Sequence, residues 1–515
     1  MHIGLLFYSE TIALASQPHT INGRSVANNA FLKNLVSHKG SHHLTIFTAS
    51  RLEADFLEDF LKDLHEVNIV PFIELENFFK EQTLDILHIP GPDLYRALHL
   101  RNAFGKNFAI TGLTHSLGHQ PFLEWLLLAR EQNPQFCDRL ICTSPTAQNV
   151  CQGLIRHVGG FDFLQTHFIP LGIDTTSFDQ GKSLRKELHI DENAVVFLSL
   201  GRFSYITKTD LMPLLLMFSK MLRTLNNKTH LILAGATGTE DDSTLLEEQS
   251  RRLGIQEFVT IITNPDEEKK INLYKTSDVF LALNDNPQET FGLSILEASA
   301  SGMPVIASAW NGYRSLICDS TDGFLIPTTV LKSHTAADII APVQIDSLNH
   351  FYFSQGTATD MDLFYEKAAL LVNNPILRME MGLAAQKKAA SYDWKNIIQK
   401  YFSLWGKLGK AEPRKSDYPV LDYHAAFASY GTQVLSDDIL FKTNPEGLKV
   451  LDSKQIFQYF LSSEILDLNQ LLTLLNVLQT PQNLKTLSHH IKNMSSEQVA
   501  YHLLWLYKYG FLSHA

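Results

Sequence analysis

The chain has 515 residues, of which 45% are hydrophobic and 19% charged, and its 43 Lys and Arg against 54 Asp and Glu give a net charge of −11. This composition is typical of a large globular protein, and it excludes a disordered chain, a collagen and a small disulfide-stapled fold. The negative charge argues against a broad nucleic-acid-binding surface. The four Cys lack the paired spacing of a zinc site or a disulfide framework, and they favour a reducing, cytoplasmic location.

Targeting and membrane segments are not predicted. The first ten residues are apolar, but they lack the cationic start of a signal peptide, and Glu10 ends the run. No apolar stretch reaches the roughly 18 residues that a membrane-spanning helix needs. Peripheral contact with a membrane stays open.

Short apolar runs separated by helical periods fill the first 178 residues. They lie at 3–8, 44–48, 67–72, 84–89, 108–113, 139–143 and 167–171. Strands that are apolar on both faces are typical of parallel sheets covered by helices. We therefore expect a doubly wound α/β domain over residues 1–178.

The same alternation restarts further along the chain. Apolar runs lie at 195–200, 230–234, 259–263, 279–283, 304–308 and 323–327, with helical periods such as 210–223 and 291–301 between them. This pattern predicts a second doubly wound domain over residues 179–390. Ligands of such sheets bind beyond the carboxyl ends of the strands, so two facing sheets predict a cleft between the domains.

The remaining segments differ in character. Residues 328–362 have no clear period, and we interpret them as an insertion. Helices are predicted over 363–390 and 394–408. A polar linker with a Pro, residues 410–416, precedes a mostly helical module over 417–515.

The C-terminal module loosely resembles a winged helix near its end. Residues 484–512 read as helix, turn and helix with a following strand, and Ser495 and Gln498 form a capping box. The charge over 481–515 is only +2, from three Lys against one Glu, which is small for a DNA-binding surface. For the C-terminal module we favour binding of a protein partner or self-association over a packing role, and we consider nucleic-acid binding the least favoured of the three.

The most informative segment runs from Asp285 to Ala298, between a predicted strand and a predicted helix. Thr290 is expected to cap this helix, and Gly292 lets a ligand approach its first turn, where free N–H groups favour an anion such as a phosphate. Glu289 precedes the helix and Glu297 leans back toward its start. The two carboxylates suit the two hydroxyl-bearing ends of a nucleotide-sugar, whose phosphates lie between them. The alternative is that Glu297 is an ordinary surface residue.

A second motif follows the first strand of the second domain. Arg202 and Lys208 lie on one loop, where two cations can clamp a diphosphate and stabilise it as a leaving group. The alternative is a pair of solvated surface cations.

Taken in order, these motifs resemble the GT4-type retaining glycosyltransferases of the GT-B fold. Glu289 and Glu297 form that family's E-x7-E motif, and residues 170–174 and 299–308 also fit. The resemblance covers residues 1–409. It implies two Rossmann-like domains facing each other across a cleft, with a C-terminal helix, here in 391–409, returning to the first domain. The implied activity is retaining transfer of a sugar from a nucleotide-diphosphate sugar, with UDP as the expected nucleotide, although the residues do not identify the base.

The resemblance also implies roles for individual residues. Glu297 would bind the donor ribose, Glu289 the donor sugar, and the backbone of 291–293 the sugar and phosphate. His115, at a strand end of the first domain, would lie beside the donor sugar. The residues expected to carry the reaction are His115, Arg202, Lys208 and Glu289, and those expected to bind the donor are Gly23, Arg24, Arg202, Lys208, Asn264, Glu289, Thr290, Phe291, Gly292, Leu293 and Glu297.

Two features depart from the family pattern. Thr209 follows Lys208 where the family often has Gly, and residues 311–315 lack the Glu of a common Gly-x-x-Glu turn. The donor sugar therefore cannot be copied from a typical member. We identify no Asp-x-Asp loop of the metal-dependent transferase type, so we expect no metal ion and no other cofactor, and the charges of Arg202 and Lys208 would replace a metal.

Other functions stay open. A nucleotide-sugar sensor signalling through the C-terminal module would keep the donor site, and a GT-B-fold epimerase or phosphorylase would share the fold. The donor sugar, the acceptor, which could be a saccharide, a lipid-linked glycan or a protein, and the oligomeric state are not readable from the sequence.

Overall fold

The computed structural model describes residues 1–7, 23–64, 66–237, 242–332, 335–343, 348–414, 419–491 and 493–515. They form two compact units. The first comprises Met1–Ile46, Leu61–Asn68 and Glu81–Ser416, and the second comprises Phe47–Phe60, Ile69–Lys80 and Asp417–Ala515. The domain boundaries expected from the sequence stay a prediction.

A seven-stranded sheet lies in the N-terminal part of the chain. Its strands are β1 (His2–Leu6), β2 (His43–Thr48), β3 (Asn68–Pro71), β4 (Ile86–Ile89), β5 (Ala109–Leu113), β6 (Arg139–Cys142) and β7 (Gln165–Phe168). The helices are α1 (Gly23–Ser37), α2 (Arg51–Leu61), α3 (Leu75–Glu81), α4 (Tyr95–Ala103), α5 (Gln120–Glu131) and α6 (Pro145–Gly159). The strand order is β3-β2-β1-β4-β5-β6-β7, and each predicted apolar run overlaps one strand. Every residue of β4 and β5 is buried, as expected for parallel strands covered on both faces.

A buried ion pair fixes β5, the strand that leads to His115. Arg101 donates two hydrogen bonds to the Asp138 carboxylate, at 2.7 and 2.9 Å, and both side chains are almost fully buried. Asp138 also accepts the N–H of Ile110 at 3.0 Å, and Arg101 donates to the carbonyl oxygen of Phe108 at 3.1 Å. The paired charges therefore satisfy one another and hold β5 in place.

A six-stranded parallel sheet forms the core of the second α/β domain. Its strands are β8 (Val195–Leu200), β9 (Thr229–Gly235), β10 (Val259–Thr263), β11 (Val279–Ala282), β12 (Val305–Ser308) and β13 (Gly323–Ile326). The helices are α7 (Met212–Thr224), α8 (Asp242–Arg252), α9 (Glu267–Thr276), α10 (Leu293–Ala300) and α11 (Tyr313–Leu316). The order is β10-β9-β8-β11-β12-β13, so the direction of winding reverses between β8 and β11. The crevice beyond the carboxyl ends of these two strands is where such sheets bind ligands.

The interruption predicted over 328–362 contains its own small elements. They are the antiparallel strands β14 (Thr328–Val330) and β15 (Thr357–Thr359) and the helices α12 (Thr335–Ile340) and α13 (Leu348–Gln355). The helical stretch predicted over 363–390 is confirmed, but it is divided into two helices. The chain forms α14 (Met361–Asn373) and α15 (Pro375–Ala389), because Asn374 caps α15 by accepting the N–H of Leu377 and Pro375 occupies its first position.

The helix α16 (Trp394–Trp405) packs against the first sheet. Its Trp405 indole donates to the Thr111 hydroxyl on β5 at 3.0 Å, and its Tyr401 ring contacts the rings of Phe31 and His88. This helix therefore belongs to the core of the N-terminal domain.

The C-terminal residues form a mostly helical core, as predicted. The elements are α17 (Tyr423–Ala426), β16 (Phe441–Thr443), α18 (Pro445–Ser453), α19 (Leu468–Val477), α20 (Leu484–His490), α21 (Ser496–Lys508) and β17 (Leu512–His514). The predicted capping box is confirmed at Ser495 and Gln498. The strand expected after the last helix pairs with β16 in antiparallel register. In the part of the chain that the structure describes, no helix has the length and apolarity to span a membrane.

Candidate active site

The candidate site lies at the reversal point of the second sheet. The loops after β8 and β11, the first turn of α10 and the start of α11 line one pocket that is partly open to solvent. Its lining includes Gly201, Arg202, Lys208, Asn284, Ser294 and Tyr313. The two motifs singled out in the sequence therefore meet in one pocket.

Glu289 and Lys208 form an ion pair at the centre of this site. The Lys208 ammonium donates to Oε2 of Glu289 at 2.5 Å, and the two side chains are 26% and 12% exposed. The N–H of Phe291 donates to Oε1 at 3.1 Å, and the Tyr313 hydroxyl donates to Oε2 at 3.3 Å. Burial alone would raise the pKa of Glu289, but Lys208 and these two donors outweigh it and lower the pKa. Glu289 is therefore held as a carboxylate.

The start of α10 differs from the prediction. Thr290 does not cap the helix, because the capping position is Gly292, whose φ of +112° lies in the left-handed region. A Cβ at Gly292 would come within 2.6 Å of the Tyr313 ring, so glycine is required both by backbone conformation and by space. No side chain caps the first turn, which begins at Leu293. The N–H of Ile295 donates to the carbonyl oxygen of Gly292 at 3.1 Å, so the N–H groups of Leu293 and Ser294 are the ones left for an anion.

Glu297 is held by a neighbouring helix. Its Oε2 accepts the Tyr274 hydroxyl at 2.7 Å, its Oε1 lies 3.3 Å from the Lys270 ammonium, and its side chain is 13% exposed. Burial raises the pKa of Tyr274 well above its usual range, and the Glu297 charge adds to this. This burial favours a functional carboxylate over a surface residue. Lys270 and Tyr274 were not expected from the sequence, although their spacing of four residues places them on one face of α9.

Arg202 joins the loop after β8 to the loop that carries Glu289. It donates to Oε1 of Gln288 at 3.2 Å and to the Thr207 hydroxyl at 3.3 Å. The amide of Asn286 donates to the carbonyl oxygen of Ile206 at 2.8 Å. These contacts place the Arg202 guanidinium within the same pocket as Lys208.

Asn264, the residue expected near the nucleobase, lies at the end of β10. Its φ is +50°, and its side chain exchanges hydrogen bonds with Thr237, at 3.2 Å to the backbone N–H and 3.1 Å to the hydroxyl. Thr237 in turn pairs with Phe203, the residue after Arg202. Asn264 is thus connected to the loop after β8, at the same edge of the sheet.

His115 follows β5 of the first sheet. Its Nε2 lies 2.9 Å from the carbonyl oxygen of Pro90, so Nε2 carries the proton and Nδ1 is an acceptor. Burial, with the nearby Arg24 charge, lowers the pKa of His115 to about 3, so the ring is neutral at physiological pH. Arg24 lies beside the same loop, since a Cβ at Gly91 would be 3.1 Å from its Nη2. Gly23 begins α1, while the rest of the loop singled out with it, which includes His19 and Asn22, lies outside the described residues.

Loops of the two α/β domains meet at the cleft. A Cβ at Gly118, three residues after His115, would lie 3.4 Å from the Pro287 side chain. His350 of α13 lies 2.9 Å from the carbonyl oxygen of the same Gly118. The Ser144 hydroxyl at the start of α6 lies 3.4 Å from Oδ1 of Asn311. The cleft predicted from the sequence is therefore present, and the inserted helix α13 forms part of its wall.

Comparison with known proteins agrees with this geometry. Residues 181–350 match the family model described as glycosyl transferases group 1. Over these residues the chain is similar to the group 1 glycosyl transferases. The chain is also 32% identical over 219 residues to D-inositol 3-phosphate glycosyltransferase of Geodermatophilus obscurus, covering 41% of this chain and 47% of that protein. The chain thus spans about half the length of the curated relatives it matches.

Solved structures establish the fold around the matched residues 181–350. The Anabaena protein HepE, in complex with UDP, is similar with a TM-score of 0.54 at 16% identity, over 79% of this chain and 100% of that one. Sucrose-phosphate synthase of Thermosynechococcus elongatus is similar with a TM-score of 0.52 at 17% identity, over 79% of this chain and 98% of that one. These likenesses, with the two parallel sheets, confirm the predicted GT-B fold.

Proposed function

We propose that this protein is a metal-independent, retaining glycosyltransferase that uses a nucleotide-diphosphate sugar. The observation that carries the proposal is the set of groups around Glu289: the Lys208 ammonium, the Phe291 N–H and the uncapped first turn of α10. A carboxylate, a cation and free helix N–H groups in one crevice suit a ligand with hydroxyl groups beside phosphates. The matched family and the GT-B fold support this reading.

The donor would lie along the start of α10. Glu297 would accept hydrogen bonds from the ribose hydroxyls, and Glu289 from hydroxyls of the donor sugar. The backbone from Thr290 to Leu293 would face the diphosphate, and Asn264 would lie near the base. Oε1 of Glu289 and both oxygens of Glu297 each have one present partner and a second lone pair, so both carboxylates can bind hydroxyl groups without losing Lys208, Lys270 or Tyr274.

The reaction would break the bond between the anomeric carbon and the terminal phosphate oxygen. Arg202 and Lys208 would stabilise the charge that develops on the leaving diphosphate. The leaving oxygen would take the proton of the attacking acceptor hydroxyl on the same face of the sugar, which retains the anomeric configuration. His115, neutral and with Nδ1 free to accept, would bind a sugar hydroxyl, and Gly23 and Arg24 would lie near the phosphates and the acceptor. We assign no protein nucleophile.

The nucleotide and the acceptor are less closely defined. UDP is the proposed nucleotide, because HepE, similar in fold, was solved with UDP and with UDP-glucose. The acceptor would be a saccharide, a lipid-linked glycan or a protein. The C-terminal module is proposed to bind a protein partner or a second copy of the chain.

The test is a panel of nucleotide-diphosphate sugars in a thermal unfolding assay, followed by measurement of nucleoside diphosphate released. We expect one donor to raise the unfolding midpoint by mass action and to be consumed. Glu297→Gln is the matched variant, which should lose the shift. Binding without any turnover would favour the sensor, recovery of an isomerised nucleotide-sugar would favour the epimerase, and no response to any donor would contradict the proposal.

A further inference from the structure

The turn from Trp310 to Tyr313 contacts the Glu289 loop through four consecutive residues. The Trp310 indole donates to the carbonyl oxygen of Asn286 at 2.9 Å, and the Asn311 amide donates to the carbonyl oxygen of Glu289 at 2.7 Å. A Cβ at Gly312 would lie 2.5 Å from the carbonyl oxygen of Thr290. The turn and the loop are therefore packed backbone against backbone.

Tyr313 makes the contact with the functional group itself. Its side chain is 2% exposed, its ring occupies the space beside Gly292, and its hydroxyl donates to Oε2 of Glu289 at 3.3 Å. Lys208 donates to the same oxygen, and the Phe291 N–H donates to the other. Three donors from three segments of chain thus fix both the position and the plane of the carboxylate. A Phe ring would fill the same space, so the hydroxyl is not required for packing.

We propose that the 310–313 turn positions Glu289 for sugar transfer, and that the hydroxyl of Tyr313 orients its carboxylate. The inference rests on the proposed function. It also gives a role to a turn that departs from the family pattern, since residues 311–315 supply a phenol and an amide where the pattern has a Glu. Tyr313 lines the pocket, but the role inferred for its hydroxyl is exerted through Glu289, so Tyr313 is a positioning residue.

The charges around Glu289 define what the loss of this hydroxyl would do. Lys208 and Arg202 approach Glu289 from the loop after β8. Asp285 lies on the same loop as Glu289, and its charge raises the pKa of Tyr313. Tyr313→Phe keeps all of these groups and removes one donor to the carboxylate. The pKa of Glu289 should therefore rise toward its usual value, and the acidic limb of kcat/KM should move to higher pH.

The experiment compares wild type, Tyr313→Phe and the matched control Tyr401→Phe with the donor found in the panel. Tyr401 is also a buried phenol, and burial alone raises its pKa, so its variant should behave as wild type. For Tyr313→Phe we expect kcat to fall about tenfold, the lower end for a hydrogen bond to a charged group because the contact is long. The affinity for the nucleoside diphosphate should stay within about twofold, since that ligand lacks the sugar.

The possible results separate the inference from the proposed function. Wild-type kcat and an unmoved acidic limb in Tyr313→Phe would overturn the inference while leaving the function standing. A parallel loss of nucleoside-diphosphate affinity and unfolding midpoint would also overturn it, because it would indicate a structural role. A wild-type protein inactive with every donor would overturn both. If Tyr313→Phe does not fold, Asn311→Ala replaces it: lower kcat at unchanged affinity supports the inference, and wild-type kcat overturns it.

Discussion

Replacing Lys208 with Met removes the ammonium group that pairs with Glu289 but keeps the apolar stem of the side chain. Glu289 is 12% exposed, so the change leaves a nearly buried carboxylate with two weaker donors. Breaking a buried pair costs roughly 3–5 kcal/mol. Because Lys208 is 26% exposed and two donors remain, we expect about 2 kcal/mol at neutral pH, or a fall of roughly 4–8 °C in the unfolding midpoint.

The pH dependence of this loss is the stronger part of the prediction. The lowered pKa of Glu289 in the folded wild type stabilises the protein above the unfolded pKa of a Glu, and this stabilisation disappears as the pH falls through the folded pKa. In Lys208→Met burial dominates and raises the pKa, so the variant loses stability as the pH rises. The difference in midpoint should be small near about pH 4 and complete above about pH 6.

A double variant provides the control. Lys208→Met with Glu289→Gln has no charge to leave unpaired, so it should recover most of the lost stability and lose the pH dependence. Thermal unfolding of the four proteins across this pH range measures both effects. The reasoning is refuted if Lys208→Met is equally destabilised at low and neutral pH, or if the double variant is as unstable as the sum of the single ones.

Three further predictions concern the same site. Glu297→Ala should weaken nucleoside-diphosphate binding about ten- to a hundredfold, as measured by calorimetry. The control Glu267→Ala removes the second partner of Lys270, a side chain that is 77% exposed, and should leave the binding affinity unchanged. Equal losses of affinity in the two variants would show that Glu297 does not bind the ribose. Transfer should survive EDTA, and a loss restored by Mg²⁺ or Mn²⁺ would contradict the assigned role of the two cations after β8. Burial and the nearby Asp210 charge raise the pKa of Asp285 to about 7. Ionised Asp285 should therefore destabilise the fold increasingly as the pH rises from about 4 to 7. Asp285→Asn should therefore gain roughly 1–3 kcal/mol more over wild type at about pH 8 than at about pH 5, and an equal gain at both would refute this.

The sheets were predictable because a strand that is buried on both faces is a short, mostly apolar run in the sequence. The runs at 84–89 and 108–113 are mostly apolar, and they contain the fully buried strands β4 and β5. The break at Asn374 was also readable, since Asn followed by Pro is a helix-start signal, but the apolar period continued across it and predicted one helical stretch.

The details of the site depended on contacts between distant parts of the chain. Thr290 has the right chemistry for a cap, but the helix begins after Gly292, whose left-handed backbone lies against the Tyr313 ring. The partners of Glu297 come from α9, more than twenty residues earlier. Such pairings leave no local pattern, so the sequence identified the carboxylates but not the groups that orient them.

We propose that the crevice between β8 and β11 cleaves a nucleotide-diphosphate sugar with retention. Proton NMR of the reaction with the donor selected by the panel tests this directly, because it reports both the nucleotide released and the configuration of the sugar. We predict release of a nucleoside diphosphate in step with a sugar that first appears in the anomeric configuration of the donor. Initial appearance of the opposite anomer, or release of a nucleoside monophosphate, would contradict the account.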